Sequence, residues 1–246
     1  MSPLASWPLE RAKPRARGPV QHPSPDSDPG IDADRLASQA RDLGVDLTPT
    51  QSAQLIHFAQ LLLRWNRVYN LTAITSIEEV VSHHLLDSLG LAAGLPAAPA
   101  LRVLDAGAGA GLPGIPLAIA LPGHRFTLVD AVAKKCAFMT QACLELGLRN
   151  VEVLHARLEQ LGGARADVIV SRALGSLAAF ARLTRHLLAP DGRWIAMKGR
   201  LSRQELRELP SDVVASRTVT LHIPSLDQER HLVMLQPVAR GPDQST

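Results

Sequence analysis

The chain has 246 residues, 46% hydrophobic and 20% charged, a length and balance that bury a core and exclude both a small disulfide-stapled module and a disordered chain. Its two cysteines, Cys136 and Cys143, cannot make a disulfide framework; seven apart in a helix-like segment, they would sit about 10 Å apart along its axis and are expected to be reduced, in a cytoplasmic protein. A formal net charge of +3 permits a polyanionic partner without requiring one.

Residues 1–30 carry prolines at 3, 8, 14, 19, 23, 25 and 29 and too few large apolar side chains to offset the entropy of ordering, so a flexible arm is expected. Its cations Arg11, Lys13, Arg15 and Arg17 lack the charged-then-apolar order of a signal peptide and read as solvated. From residue 31 to 98 the pattern is helical. Leu36, Ala40 and Leu43 share a face that Gly44 stops, and Thr48-Pro49 caps the next helix. There Leu55, Phe58, Leu62, Trp65 and Tyr69 recur at three- and four-residue steps; the stripe reads as core in preference to a base-stacking platform. A third helix over residues 77–91 carries His83, His84, Asp87 and Ser88, and the Pro96-Ala-Ala-Pro99 run closes this helical subdomain. The low-polarity stretch 89–123 is broken by Arg102, Asp105 and repeated Gly and Pro, which excludes a membrane span there.

Over residues 99–238 short β-rich runs alternate with helical ones. Strands are predicted at 101–105, 125–130, 151–155, 166–171 and 193–198, with crossover helices at 131–146, at 176–188 and just after Gly111, stopped by Gly147 and Asp191-Gly192. This alternation predicts an α/β fold with a doubly wound parallel sheet. Runs 213–223 and 231–236 pair as an antiparallel hairpin at its edge, and 239–246 is expected to be a disordered tail.

The first strand runs into Asp105-Ala-Gly107-Ala-Gly109-Ala-Gly111-Leu112-Pro113-Gly114. A dinucleotide fingerprint needs glycine where Leu112 stands. An acid two residues before the first glycine suits S-adenosylmethionine, which has no phosphate and presents an ammonium, a carboxylate and a sulfonium. Asp130 ends the second strand nineteen residues after Gly111, placed to accept hydrogen bonds from ribose hydroxyls. The competing reading makes the glycines a tight turn and Asp130 a helix cap. In open parallel sheets the crevice lies beyond the strands' carboxyl ends where the winding reverses, so Gly107 to Leu112 and Ser171-Arg172-Ala173 should face it. Arg172 is a candidate cofactor or phosphate contact, with a surface ion pair as the alternative; Lys198, ending the fifth strand, is a substrate contact or a solvated strand end. The fourth-strand end carries neither an Asn/Asp-Pro-Pro-aromatic motif nor a Pro-Cys nucleophile. That leaves attack by an atom with its own lone pair, such as a purine ring nitrogen.

Trp65-Asn66-Arg67-Val68-Tyr69-Asn70-Leu71-Thr72, His84-Leu-Leu-Asp87-Ser88, the glycine loop through Leu117, Ser171-Arg172-Ala173, Lys198-Gly199 and Glu229-Arg230-His231-Leu232 together resemble the bacterial 16S ribosomal RNA guanine-N7 methyltransferase G family, also called glucose-inhibited division protein B. The resemblance runs from about residue 36 to 236. It implies a class I S-adenosylmethionine-dependent methyltransferase (Rossmann-like) fold with a small N-terminal helical extension, and methylation of N7 of guanine 527 in 16S ribosomal RNA or the small ribosomal subunit. It further implies a cytoplasmic location; a monomer with no membrane contact, no stable protein partner and no metal is expected. Its cofactor contacts fall on Gly107, Leu112, Leu158, Glu159 and Arg172, beside Asp105, Gly109, Gly111 and Asp130 read from the loop; Arg172 and Lys198 are the catalytic, substrate-side candidates. Two positions depart from the family pattern: His83 stands where a stronger base is usual and Gln228 where glycine is usual. For Asn66, Asn70, His84 and Asp87 the alternative to lining the cleft is capping the second helix and bridging the subdomain to the sheet.

Overall fold

The computed structural model describes residues 31–162, 165–172 and 174–238, so the expected arm 1–30 and tail 239–246 lie outside the described residues. Helix α1 (Ala33–Asp42) is capped by Asp32 and ends at Gly44, whose φ is +79°. Helix α2 (Pro49–Tyr69) starts with Thr48 and Gln51 exchanging side-chain bonds to each other's backbone, with Pro49 in the first turn, the arrangement that satisfies free amides at a helix start. Gln51 also donates to the carbonyls of Ile119 and Ala120, and Gln54 to that of Leu146, fixing α2 across the sheet's helices. Asn70, in the left-handed region at φ 48°, ends it.

The third predicted helix is continuous but irregular. Regular turns at α3 (Ile77–Val80) and α4 (Asp87–Gly90) flank a wider π-helical turn over Val81–Leu86, and a tighter 3-10 turn follows at Leu91–Gly94. Wide turns of this kind re-aim side chains and are frequent at functional sites; this one carries His83 and His84.

Seven strands form one sheet in the order β3-β2-β1-β4-β5-β7-β6. Strands β1 (Arg102–Ala106), β2 (Arg125–Asp130), β3 (Val151–His155), β4 (Ala166–Ser171) and β5 (Leu188–Lys198) are parallel; β7 (Arg230–Pro237) lies antiparallel between β5 and β6 (Val213–Leu221). The fifth strand begins five residues earlier than its sequence suggests. Pairing shifts between Ala166↔Leu188 and Val168↔Arg193, so Asp191-Gly192 forms an irregularity inside the strand rather than a stop before it. Helices α5 (Gly114–Ala120), α6 (Ala133–Glu145) and α7 (Leu177–Thr184) cross between strands, and α8 (Arg203–Arg207) is a short helix with no apolar signal in the sequence. One apolar cluster joins Leu55, Phe58, Leu62 and Leu85 to Ile115, Phe138, Val168 and Met197, so the helical segment and one face of the sheet share a core. Both cysteines are free and buried, and burial lifts the Cys143 thiol to about 11. No described helix is long and apolar enough to cross a membrane.

Candidate functional site

Buried polar residues are costly unless paired, so where they gather is informative. Asn66, His84, Asp87, Ser88, Asp105, Asp130 and Ser171 are all buried, and they gather at the carboxyl ends of β1, β2 and β4 or on the helical segment bonded to them. A hollow of about 1160 Å³ opens at the amino ends of the strands, between Arg102, Phe126, Val151 and Ala166, the wrong end of a parallel sheet for its ligand crevice.

After β1 the chain turns through Gly107, Gly109 and Gly111, with φ of +70°, +60° and +76°, conformations that a Cβ strains. Space differs among them. A Cβ on Gly107 would stand 2.9 Å from Leu174 Cδ1, so the segment after β4 closes against the loop; one on Gly109 would meet nothing among the described residues nearer than the Gly107 carbonyl at 4.0 Å. The loop is therefore open above Gly109. Leu112 is buried in the core.

Asp105 Oδ2 accepts the Gly114 N–H at 2.8 Å, while Oδ1 is buried with no hydrogen-bond partner among the described residues. Burial lifts this carboxyl from 3.8 to about 7, against the pull of the Gly114 amide and the Arg172 charge. Asp130 accepts from Gly109 N–H at 2.9 Å through Oδ2 and from Val132 N–H at 2.8 Å through Oδ1, with Lys135 Nζ 3.8 Å away. It thus both ties the glycine loop to β2 and caps the turn into α6. The two readings of Asp130 are compatible, because each carboxylate oxygen has a second lone pair. Leu158 and Glu159 form a 3-10 turn beyond β3; Leu158 is buried among Leu177 and Phe180, and exposed Glu159 borders a hollow with Arg182 and His186.

Arg172, just past β4, reaches the helical segment. Its Nη1 donates to Asp87 Oδ2 at 2.8 Å and to the His83 carbonyl at 3.2 Å. Asp87 Oδ1 accepts from Arg230 Nε at 2.8 Å. Burial weakens the hold of Arg172 on its proton, but the Asp87 and Asp105 charges oppose that, and the guanidinium stays charged. His84 Nε2 lies 2.8 Å from Thr72 Oγ1, which accepts the Ile74 N–H, and His84 Nδ1 lies 3.1 Å from the His83 carbonyl. Arg172 Nη2 lies 3.5 Å from the same Nδ1, so a carbonyl that only accepts and a guanidinium that only donates both face that nitrogen. Burial, then the Arg172 charge, holds the His84 imidazole down to about 4; it is neutral. Asn66 Oδ1 accepts from Leu71 and Thr72 N–H at 2.7 and 2.9 Å, and Nδ2 donates to Ile74, pinning the turn that carries Thr72.

Lys198 ends β5 with its ammonium 2.7 Å from Glu205 and donating to the Gly175 carbonyl at 3.0 Å. It therefore grips the segment after β4 rather than the glycine loop. The strand ends thus bring together Asp105, the glycines, Asp130 and Arg172, whereas Leu158 packs toward α7, Glu159 borders the hollow beside Arg182 and His186, and Lys198 faces Gly175 and Glu205. Arg230 is the partner that sequence reasoning left without a role. Its signal was present: a cation opening a final antiparallel strand must lie at the carboxyl ends of the parallel ones, and Lys198 pairs with His231 next to it.

A parallel sheet closed by an antiparallel pair, with a glycine loop after β1 and an acid ending β2, defines the fold of the S-adenosylmethionine-dependent methyltransferases. TrmN from Thermus thermophilus shares it at a TM-score of 0.52 and 21% identity over 64% of this chain, which spans about half (53%) of that protein. An S-adenosylmethionine-dependent methyltransferase from Aquifex aeolicus shares it at 0.50 and 15%, covering 64% of this chain and 92% of that one. The family model of rRNA small subunit methyltransferase G (GidB) matches residues 51–233, and the chain belongs to that family. Ribosomal RNA small subunit methyltransferase G of Laribacter hongkongensis is 47% identical over 203 residues, 82% of this chain and 97% of that protein, and that of Neisseria meningitidis serogroup B is 44% identical over the same shares.

Proposed function

We propose that this protein transfers a methyl group from S-adenosylmethionine to N7 of a guanine in 16S ribosomal RNA, the guanine at position 527 by family resemblance. The observation that carries the chemistry is the arc of Asp105, glycine loop, Asp130 and Arg172 along adjacent strand ends, in a chain of this family. The cofactor supplies an electrophilic methyl group on a sulfonium. Its amino-acid end is a zwitterion, and the site offers one group for each charge: Asp105, with an oxygen lacking a partner, and Arg172. Gly107, Gly109, Gly111 and Leu112 shape the backbone cradle, Asp130 would accept from the ribose hydroxyls through its remaining lone pairs, and Leu158 and Glu159 would border the adenine.

Guanine N7 carries its own lone pair, so the chain has to position it and exclude water, not remove a proton. His84, the imidazole beside Arg172, has both nitrogens engaged by Thr72 and the His83 carbonyl, in keeping with a role in position and not in proton removal. Arg172 and Lys198 are the proposed substrate-side residues, Arg172 by direct contact and Lys198 through the Gly175 segment it grips. In this reading residues 31–98 form a helical cap on a methyltransferase domain of residues 99–238, and the enzyme works as a cytoplasmic monomer on an unstacked guanine of the small subunit or its RNA.

The test is mapping of N7-methylguanine in ribosomal RNA from cells with and without the gene, with transfer of labelled methyl by purified protein. Loss of one N7-methylguanine and its restoration by the protein are expected. An unchanged map, or label on another atom, overturns the assignment.

A further inference from the structure

The apolar stripe of α2 does not stay in the core. It continues as a row of aromatic rings leading outward: Phe58 and Phe138 are 6.1 Å apart between centroids, Phe138 and Trp65 5.6 Å, Trp65 and Tyr69 5.1 Å. Phe58 and Phe138 are fully buried, Trp65 is partly buried, and Tyr69 is 40% exposed with Val68 beside it 70% exposed. A surface tyrosine backed by two further rings is held in one orientation before any partner arrives, which removes much of the ordering cost of stacking on it.

The surroundings are cationic. Lys134 Nζ donates to the Tyr69 carbonyl at 2.8 Å, and Arg64 and Arg67 are exposed on the last turns of α2. Among the described residues none of these three has a carboxylate within 4.0 Å. The patch also adjoins the crevice on both sides. Lys134 lies in the first turn of α6, four residues past Asp130, and Thr72, three residues past Tyr69, bonds to His84 next to Arg172.

We propose that Tyr69 is a stacking platform for an unpaired nucleobase of the RNA substrate near the methylated guanine, with Lys134 and Arg67 holding adjacent phosphates. The inference rests on the ribosomal RNA reading above and extends its binding surface. An exposed ring with unpaired cations around it is how proteins grip single-stranded RNA without reading duplex sequence.

The experiment measures affinity of the full chain for protein-free 16S RNA and for small subunits, both from cells lacking the gene, with Tyr69→Leu, Tyr69→Phe and Lys134→Gln. Cofactor affinity and melting temperature serve as controls of folding. Tyr69→Leu is expected to weaken both RNA affinities about tenfold, while Tyr69→Phe stays within about twofold of the wild type because stacking needs the ring and not the hydroxyl. Lys134→Gln should lower the slope of log affinity against log salt by about one. Unchanged affinity of Tyr69→Leu, equal weakening by Tyr69→Phe, or a loss confined to the intact subunit, which would mean a ribosomal protein sits there, each overturns the platform. A wild type that binds the RNA and methylates it elsewhere overturns the N7 reading alone; one that binds neither RNA nor subunit overturns both.

Discussion

Replacing Asp87 by alanine removes the one carboxylate that two arginines share. Its side chain is 7% exposed and accepts from Arg172 and Arg230 at 2.8 Å each, with those side chains 18% and 15% exposed. Breaking a buried ion pair from one side costs about 3 to 5 kcal/mol, because the remaining charge keeps its desolvation cost and loses its partner. Here two guanidiniums are left facing each other, but both keep some access to water, so about 3 kcal/mol is the expected loss. For a domain of this size that is a fall in melting temperature of about 6 to 12 °C. Arg230→Ala should cost less, about 1.5 to 3 kcal/mol, since Asp87 retains Arg172. The assay is urea unfolding of wild type, both single variants and the double variant. The pair should be coupled, the double variant being less damaged than the sum by at least about 1 kcal/mol. A loss below about 1 kcal/mol in Asp87→Ala, or additivity within about 0.5 kcal/mol, would mean that the carboxylate is solvated and does not hold the helical segment to the sheet.

Gly109→Val puts a branched side chain at φ +60°, where the Cβ itself has 4.0 Å to the nearest described atom; a loss of about 1 to 2 kcal/mol is expected, with at least tenfold weaker S-adenosylmethionine binding by calorimetry, and full affinity would reduce the loop to a turn. For Asp105, folding raises the carboxyl from 3.8 to about 7, so the folded protein holds a proton that the unfolded chain releases. Stability from this group is present below about pH 4 and is lost as pH rises to about 7, by up to about 4 kcal/mol; Asp105→Asn should flatten that fall, and parallel stability curves for the two proteins would refute it. Lys198→Met and Glu205→Gln both release the Gly175 segment, and single-turnover methylation is expected to fall severalfold in each; a loss confined to the lysine variant would make Lys198 a direct substrate contact.

The glycine loop, its acid and the ordering of five parallel strands were legible because each is written in consecutive residues: a β-rich run, a turn signal, a helix. What local pattern cannot carry is who meets whom across the fold. Arg172 finds Asp87 from 85 residues away and Arg230 finds it from 143, distances at which no periodicity survives. The same limit explains Tyr69. Its spacing from Leu55 and Phe58 is that of a core residue, and only the end of the sheet decides that the last ring of the stripe emerges into solvent. The wide turn at His83 and His84 left no mark in the sequence either, since it differs from a regular helix by the aim of its side chains and not by their composition. The strand irregularity at Asp191-Gly192 is the opposite case, a turn signal present in the residues but absorbed by pairing on either side of it.

The charge balance of the crevice follows from these partnerships. Arg172 and Arg230 share Asp87, so two guanidiniums stand against one carboxylate. His84, the next group along, is neutral near pH 7 and cannot cancel or add to that excess. Asp105 could cancel it only when ionised, and burial holds it near half-protonated at neutral pH. At the junction of the helical segment with β4 the two guanidiniums therefore exceed the one carboxylate they contact. A carboxylate arriving at Arg172 would relieve that excess, and a cation arriving beside Asp105 would favour its ionised form; a ligand bearing both charges a few bonds apart does the two together. By placing a single acid between two bases, the helical segment sets a local excess of positive charge at Arg172, a condition that would favour the carboxylate of a zwitterionic ligand.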